Sequence, residues 1–102
     1  MSKHYLNVSD ELVTLLCRKW GFAQQDQTLV KQCCTLISAL IDNSRHQEDG
    51  CRYDKKTIAS EITDTLILMR TVMHAHGITP EDIDSLLIER QRDGDSLDAL
   101  YY

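Results

Sequence analysis

Glycine and proline divide this sequence into segments of helical length. The only proline, Pro80, follows Thr79 and precedes two acidic residues, which is the pattern of a helix start with Thr79 as N-cap. The glycines stand where an apolar periodicity stops, which marks them as helix ends. The chain has four of them: Gly21, Gly50, Gly77 and Gly94.

Apolar residues recur at helical spacing between these marks. No segment alternates with period two over a useful length, so the sequence predicts an all-α fold. The polar stretch 44–52 is expected to be a loop that joins two long antiparallel helices, with shorter helices packed against that pair. The predicted helices cover about 9–20, 26–43, 54–76 and 80–92.

The apolar stripes indicate which helix faces lie in the core. On the first helix the expected stripe is Leu12, Leu15, Leu16 and Trp20. The second helix carries a wider stripe than one neighbouring helix can cover, so the sequence predicts a bundle of four main helices completed by dimerisation. That stripe comprises Leu29, Val30, Cys33, Leu36, Ile37, Leu40 and Ile41.

The charge of the chain excludes several classes of function. With 16 acids, 11 bases and a formal net charge of −5 over 102 residues, we expect no nucleic-acid partner, because phosphate binding needs clustered Lys and Arg. No apolar run is long enough to cross a bilayer, and we expect no membrane partner and a cytoplasmic location. The chain is expected to be one domain with a core over about 9–92.

The net charge is also unevenly placed. Residues 1–79 carry nine acids and nine bases, whereas residues 80–102 carry seven acids and two arginines. The whole excess of −5 therefore belongs to the C-terminal end, where residues 93–102 form the expected acidic tail. That tail is expected to be a short amphipathic turn or a frayed end.

One pair of acids stands out on the third predicted helix. Glu61 and Asp64 are three residues apart, so their carboxylates share one helix face among apolar neighbours. Two such carboxylates bind Mg²⁺ when further oxygens complete the octahedron. The same spacing is also common on solvated helix faces, so the pair alone leaves both interpretations open.

The segment around this pair resembles a known family. Ser60-Glu61-Ile62-Thr63-Asp64-Thr65-Leu66-Ile67-Leu68 is similar to the second metal-binding helix of MazG-like proteins, members of the all-α nucleoside triphosphate pyrophosphatase superfamily. The order of the other parts also fits, from Lys19-Trp20-Gly21 at the end of the first helix to a last helix that ends in basic residues. The resemblance covers about residues 9–92. It implies a homodimer or dimer of dimers, and a nucleotide as ligand.

The first metal motif of that family is altered here. Members carry E-E-x-x-E on the preceding helix, and in the matching register this chain has Lys31, Gln32 and Thr35. No acid occurs between Asp26 and Asp42, so no other register restores the motif. Mg²⁺ held by several carboxylates is what the resemblance implies for catalysis, and most of those carboxylates are missing.

A cation on this helix suggests a replacement for the metal. Lys31 is predicted to reach across the helix pair and neutralise Glu61 or Asp64, as Mg²⁺ does in the family. The alternative is that Lys31 lies on the surface with no such partner.

The resemblance also implies residues for nucleotide contacts. Arg90 and Arg92, at the end of the last helix, match positions where relatives place phosphate-binding side chains. Cations in a last helical turn are also favoured by the helix dipole without any ligand. Trp20 is a candidate for stacking on a base, although a tryptophan at the end of an apolar stripe more often belongs to the core.

Three functions follow as hypotheses. The favoured hypothesis is a MazG-like protein whose Mg²⁺ site is eroded. Such a protein would be nucleotide-binding, regulatory or partner-binding, with little or no turnover. The second is an active Mg²⁺-dependent pyrophosphohydrolase that releases a nucleoside monophosphate and pyrophosphate. The third is a small helical interaction module whose likeness to the family is architectural only.

Overall fold

The computed structural model describes residues 8–48 and 55–101, and this part of the chain is helical with no β-strand. No helix in it is both long enough and apolar enough to span a bilayer. Four α-helices are followed by a 3₁₀ helix over Gly94–Tyr101. The α-helices are α1 (Asp10–Trp20), α2 (Phe22–Glu48), α3 (Lys55–Ala75) and α4 (Pro80–Arg92).

The all-α prediction is confirmed, and α4 begins and ends where the sequence placed it. Thr79 caps α4: its Oγ1 accepts from the Asp82 backbone N–H at 3.2 Å, and the Asp82 carboxylate accepts from the Thr79 N–H at 2.8 Å. This reciprocal capping box satisfies two of the helix's otherwise unpaired N–H groups. The local residue types alone therefore determine this boundary.

The predicted ends of α2 are wrong. The helix begins at Phe22, directly after Gly21, and continues to Glu48, so residues 44–48 are not loop. The polar residues there include Arg, Gln and Glu, which are good helix formers, and no glycine or proline interrupts them. The rest of the predicted loop, including Gly50, lies outside the described residues.

Two glycines make the turns between helices possible. Gly21 (φ 84°) separates α1 from α2, and Gly77 (φ 71°) follows α3. Beyond α3, the Ile78 N–H donates to the Met73 carbonyl at 2.8 Å and the Gly77 N–H to the His74 carbonyl at 3.2 Å. This is the Schellman arrangement, which needs a residue of positive φ at Gly77.

The core lies between α1, α2 and α3, and the pairing of α2 with α3 is the most extensive. Its buried apolar side chains among the described residues are Val13, Cys17, Ile58 and Met73. The stripe predicted for α1 is therefore wrong. Leu15 and Trp20 are 55% and 59% exposed, whereas Val13 and Cys17, one turn apart, are buried, and the Cys17 Sγ–H donates to the Thr71 carbonyl of α3.

The C-terminal part does not pack as predicted. We expected the shorter helices to lie against the long pair, and α1 does so, but α4 packs mainly against the 3₁₀ helix that follows it. The radius of gyration is 16.0 Å, compared with about 13 Å for a compact domain of this length. The difference follows because no long apolar stripe on α4 is buried, and Leu86 and Ile88 remain exposed.

Cys17 provides a testable feature of this core. Its Sγ–H points at the Thr71 carbonyl oxygen, 3.6 Å away, and burial raises the pKa of the Cys17 thiol. A thiol whose pKa is higher in the folded than in the unfolded state stabilises the fold below its unfolded pKa, about 8.5, and this contribution is lost above it. We expect the free energy of unfolding to fall above about pH 9 more steeply in wild type than in Cys17→Ala. Urea melts of both proteins across that range measure the difference, and parallel curves would contradict it.

Candidate functional site

The motif positions of α2 and α3 meet at Gln32. Its Nε2 donates to the Glu61 carboxylate Oε1 at 2.9 Å and to the Glu61 backbone carbonyl at 3.1 Å. The Thr65 hydroxyl, 3.4 Å from the same nitrogen, donates to that carbonyl at 2.8 Å. Because three oxygens surround Nε2, the orientation of the Gln32 amide is fixed. Gln32 and Glu61 are half-buried at the contact between the two helices.

The other two altered positions point away from Glu61. Lys31 and Thr35 are exposed, and the Thr35 hydroxyl donates to the Lys31 backbone carbonyl at 3.3 Å within α2. Lys31 forms no ion pair with any described residue. The predicted pairing of Lys31 with Glu61 or Asp64 is therefore not observed in this part of the chain. The side chain that contacts the Glu61 carboxylate from α2 is the amide of Gln32.

Asp64 lies one turn further along α3. It is exposed and lines an open cavity of about 270 Å³ together with Gln32, Ile67 and Leu68. Its carboxylate accepts no hydrogen bond from the described residues. Glu61 and Asp64 thus face different surroundings: Glu61 accepts from an amide, and Asp64 is open to solvent.

These residues do not fit a resident Mg²⁺. Magnesium needs near-octahedral oxygen ligands, and an amide nitrogen donor, Gln32 Nε2, is directed at the Glu61 carboxylate. Within residues 8–48 and 55–101, no three His, Cys, Asp or Glu side chains lie close enough together to hold a metal ion. We therefore assign no metal-dependent step to this pair of helices.

A second cavity of about 330 Å³ lies beside the first, at the C-terminal end of α1. Its volume is at the lower end for small-ligand sites, and its walls combine apolar side chains with a few polar groups. Leu68 lines both cavities, which makes them neighbours on one side of the molecule. The second cavity is lined by Leu16, Trp20, Gln24, Gln25, Thr28 and Leu68.

Gln25 is the polar centre of this cavity and was not predicted from the sequence. It is 3% exposed, and its Nε2 donates to the Gly21 carbonyl at 2.9 Å and to the Leu16 carbonyl at 3.3 Å. Two carbonyl acceptors require the nitrogen on that side, so the orientation of the amide is set by its partners. Its Oε1 accepts no hydrogen bond from the described residues.

Trp20 forms one wall of the cavity. The side chain is 59% exposed, so it is a surface aromatic and not a core residue. The Lys19 Nζ lies 5.3 Å from the centre of the Trp20 ring, close enough for a cation–π contact. The indole therefore offers an exposed aromatic surface in the cavity that Gln25 also lines.

The predicted arginines are not part of this site. Arg90 and Arg92 are exposed in the last turn of α4, and neither lines the cavities at Trp20 or Asp64. Of the predicted site residues, the structure brings Gln32 and Glu61 into contact and sets Asp64 and Trp20 in neighbouring cavities.

Within the described residues, an ion pair and a histidine–carboxylate contact connect the helices around the site. The Arg70 Nη2 of α3 donates to the Asp10 carboxylate at the start of α1, 2.7 Å away, although Arg70 is 5% exposed and Asp10 is open to solvent. The Arg70 Nε is buried and has no hydrogen-bond partner among the described residues. His76 contacts Asp26 at 2.9 Å and joins the end of α3 to the first turns of α2.

Comparisons with protein families, with curated proteins and with solved structures find no match for this chain.

Proposed function

We propose that this protein is a MazG-like, homodimeric nucleotide-binding protein with little or no turnover. The contact that carries the proposal is the hydrogen bond from Gln32 Nε2 to Glu61 Oε1. In the family that this chain resembles, the same junction of two helices holds metal-bound carboxylates. Here an uncharged amide satisfies the one carboxylate at the junction, so the fold needs no cation there.

The ligand is assigned to the cavity at Trp20. A nucleobase is flat and carries N–H groups on its edge, and the cavity is lined by the aromatic Trp20 and by Gln25, whose Oε1 accepts from no described residue. Because Asp64 lines the neighbouring cavity, its carboxylate repels a phosphate chain that extends in that direction. The proposed ligand is therefore recognised through its base.

The test uses the only tryptophan of the chain as a reporter. Adding a panel of nucleosides and nucleoside triphosphates is expected to quench Trp20 emission and to raise the melting temperature, since a ligand that binds the native state stabilises it. A ligand at about 100 times its Kd contributes about 2.7 kcal/mol. Trp20→Ala is expected to abolish the thermal shift.

Phe22→Ala is the matched control for this test. Phe22 is also 59% exposed and two residues away, but it does not line the cavity. This variant is expected to keep both the quenching and the thermal shift. No shift with any member of the panel would rule out the nucleotide-binding proposal, and loss of the shift in Phe22→Ala would move the site elsewhere.

One observation favours a catalytic alternative. Asp64 is exposed in an open cavity, so its carboxylate is accessible to a metal that arrives with a substrate. Pyrophosphate release from nucleoside triphosphates with Mg²⁺ or Mn²⁺ tests this second candidate. We expect no release above that of Asp64→Asn; release that this substitution removes would replace the binding proposal by a pyrophosphohydrolase.

A further inference from the structure

Helix α2 is built with two opposite faces. The face toward α3 and α1 is buried or half-buried, and its residues are spaced alternately by four and three, as in helices that pack side by side. That inner row consists of Gln25, Leu29, Gln32, Leu36, Ala39 and Asn43.

A second row with the same spacing runs along the outside of α2. At 3.6 residues per turn it lies about 150° around the helix from the inner row, and all of its members are exposed. Val30, Ile37 and Ile41 in its middle are 64%, 55% and 48% exposed. We call this row the outer seam, and it comprises Ala23, Gln27, Val30, Cys34, Ile37, Ile41 and Ser44.

We propose that two copies of this chain pair through the outer seam with their α2 helices antiparallel. This inference names the interface of the homodimer proposed above and rests on that dimer. An apolar row with heptad spacing and no charge in it is the surface by which one helix packs along another. That the partner is a second copy of this chain follows from the symmetry of the row and from the charges beside it.

The central residues of the outer seam are spaced symmetrically. Successive residues of the row Val30, Cys34, Ile37 and Ile41 are four, three and four positions apart. A two-fold axis midway between positions 34 and 37 therefore maps the row onto itself in reverse order. Antiparallel pairing then sets Val30 against the partner's Ile41, and the small Cys34 against the partner's Ile37. Each layer combines a smaller with a larger side chain, whereas parallel pairing sets Cys34 against the partner's Cys34 and leaves a void.

The charges beside the seam favour the same orientation. Lys31 and Asp42 lie on one flank of it, about 20° apart around α2. Both are exposed, and neither forms an ion pair with any described residue. In the antiparallel pair, Lys31 comes beside the partner's Asp42, and this contact occurs twice by symmetry. In a parallel pair the two residues lie on opposite edges.

Light scattering on the full chain tests the interface. The wild type is expected to have twice the monomer mass of 11.7 kDa. Ile37→Lys is expected to reduce the mass to that of the monomer, because the interface would bury two charges without partners. Ile88→Lys on α4, where the side chain is 56% exposed, is the matched control and is expected to remain dimeric. Circular dichroism confirms that each variant is folded.

The outcomes separate the inference from the proposals on which it rests. A monomeric wild type at the highest soluble concentration overturns the homodimer and the seam together. A dimeric Ile37→Lys overturns the seam alone. The nucleoside-induced thermal shift, measured on the same samples, reports on the Trp20 site independently of either result.

Charge reversal and cross-linking test the orientation. Lys31→Glu is expected to weaken the dimer at low salt, and Lys31→Glu combined with Asp42→Lys is expected to restore it. In a background of Cys33→Ser and Cys51→Ser, Ile37→Cys is expected to form an interchain disulfide with the partner's Cys34 under mild oxidation. Adding Cys34→Ser removes that link in the antiparallel dimer; a link that persists shows parallel pairing and overturns the orientation.

Discussion

Replacing Gln32 by glutamate is expected to lower the melting temperature of the metal-free protein by about 10 °C at neutral pH. The substitution removes the amide donor that holds Glu61 Oε1 at 2.9 Å and puts a second carboxylate in its place. A hydrogen bond to a charged group contributes about 2 kcal/mol, and two carboxylates this close repel each other. For a domain of this size, a change of about 1 kcal/mol corresponds to about 4–8 °C.

The stability of the Gln32→Glu variant is expected to decrease as the pH rises, because the two carboxylates become charged. Repulsion between the introduced carboxylate and that of Glu61 raises the pKa of this pair in the folded state above its unfolded value, about 4.3. The variant therefore keeps most of its stability below about pH 4 and loses it as the pH rises through the raised pKa. Thermal melts of both proteins in EDTA, from acidic to neutral pH, measure this difference.

Gln32→Met is the matched control, because it removes the hydrogen bond without adding a charge. It is expected to destabilise the protein at neutral pH by loss of the hydrogen bond alone, without the additional loss between acidic and neutral pH that carboxylate repulsion causes in Gln32→Glu, and with no response to Mg²⁺. Gln32→Glu is expected to regain stability with Mg²⁺, since a divalent cation bridges paired carboxylates. If Gln32→Glu has the same melting temperature as the wild type at neutral pH in EDTA, the hydrogen bond from Gln32 to Glu61 does not stabilise the fold.

The limits of sequence reasoning are clear in the helix boundaries. The start of α4 was predictable because Thr79, Pro80 and Asp82 act through neighbouring backbone atoms, so local sequence is sufficient. The ends of α2 were not, because polar residues of high helix propensity are compatible with either a helix or a loop. At α2, only glycine at position 21 gave a true boundary signal.

The helix faces were harder to predict than the helices. On α1 the apolar periodicity was assigned to the large residues Leu15 and Trp20, yet the smaller Val13 and Cys17 are the buried pair. Periodicity identifies an apolar stripe but not which of two stripes meets the rest of the chain. Helix α2, with its inner row and outer seam, presents the same ambiguity along its whole length.

The candidate site was predictable only in part from the sequence. The family resemblance predicted that certain positions on α2 and α3 lie close together, and in the structure Gln32 of α2 contacts Glu61 of α3. It gave no reason to choose the amide of Gln32 over the ammonium of Lys31, because that choice depends on which side of α2 faces α3. Gln25 carried no signal, since its role comes from carbonyls that the turn at Gly21 exposes.

Removing the Asp10 carboxylate is expected to destabilise the fold although that side chain is 90% exposed. Asp10→Ala leaves the guanidinium of Arg70, a residue only 5% exposed, without the carboxylate that lies 2.7 Å from its Nη2. Its Nε already lacks a hydrogen-bond partner among the described residues, so little else is available to the charge. Loss of a charged hydrogen bond costs about 1.5 kcal/mol, equivalent to roughly 6–12 °C in melting temperature.

The cause of this loss is separable from the loss of an acid at the start of α1. Glu11→Ala removes the other acid of the first turn, and with it the exposed hydrogen bond that the Ser9 hydroxyl donates to the Glu11 carboxylate; it is expected to cost only about 0.5 kcal/mol. Adding Arg70→Met to Asp10→Ala is expected to recover most of the stability, because a buried apolar side chain replaces an unpaired charge. Urea melts at one fixed protein concentration compare the variants. If the double variant is less stable than Asp10→Ala, the Arg70 side chain stabilises the core without its ion pair. The loss in Asp10→Ala is then not caused by an unpaired guanidinium.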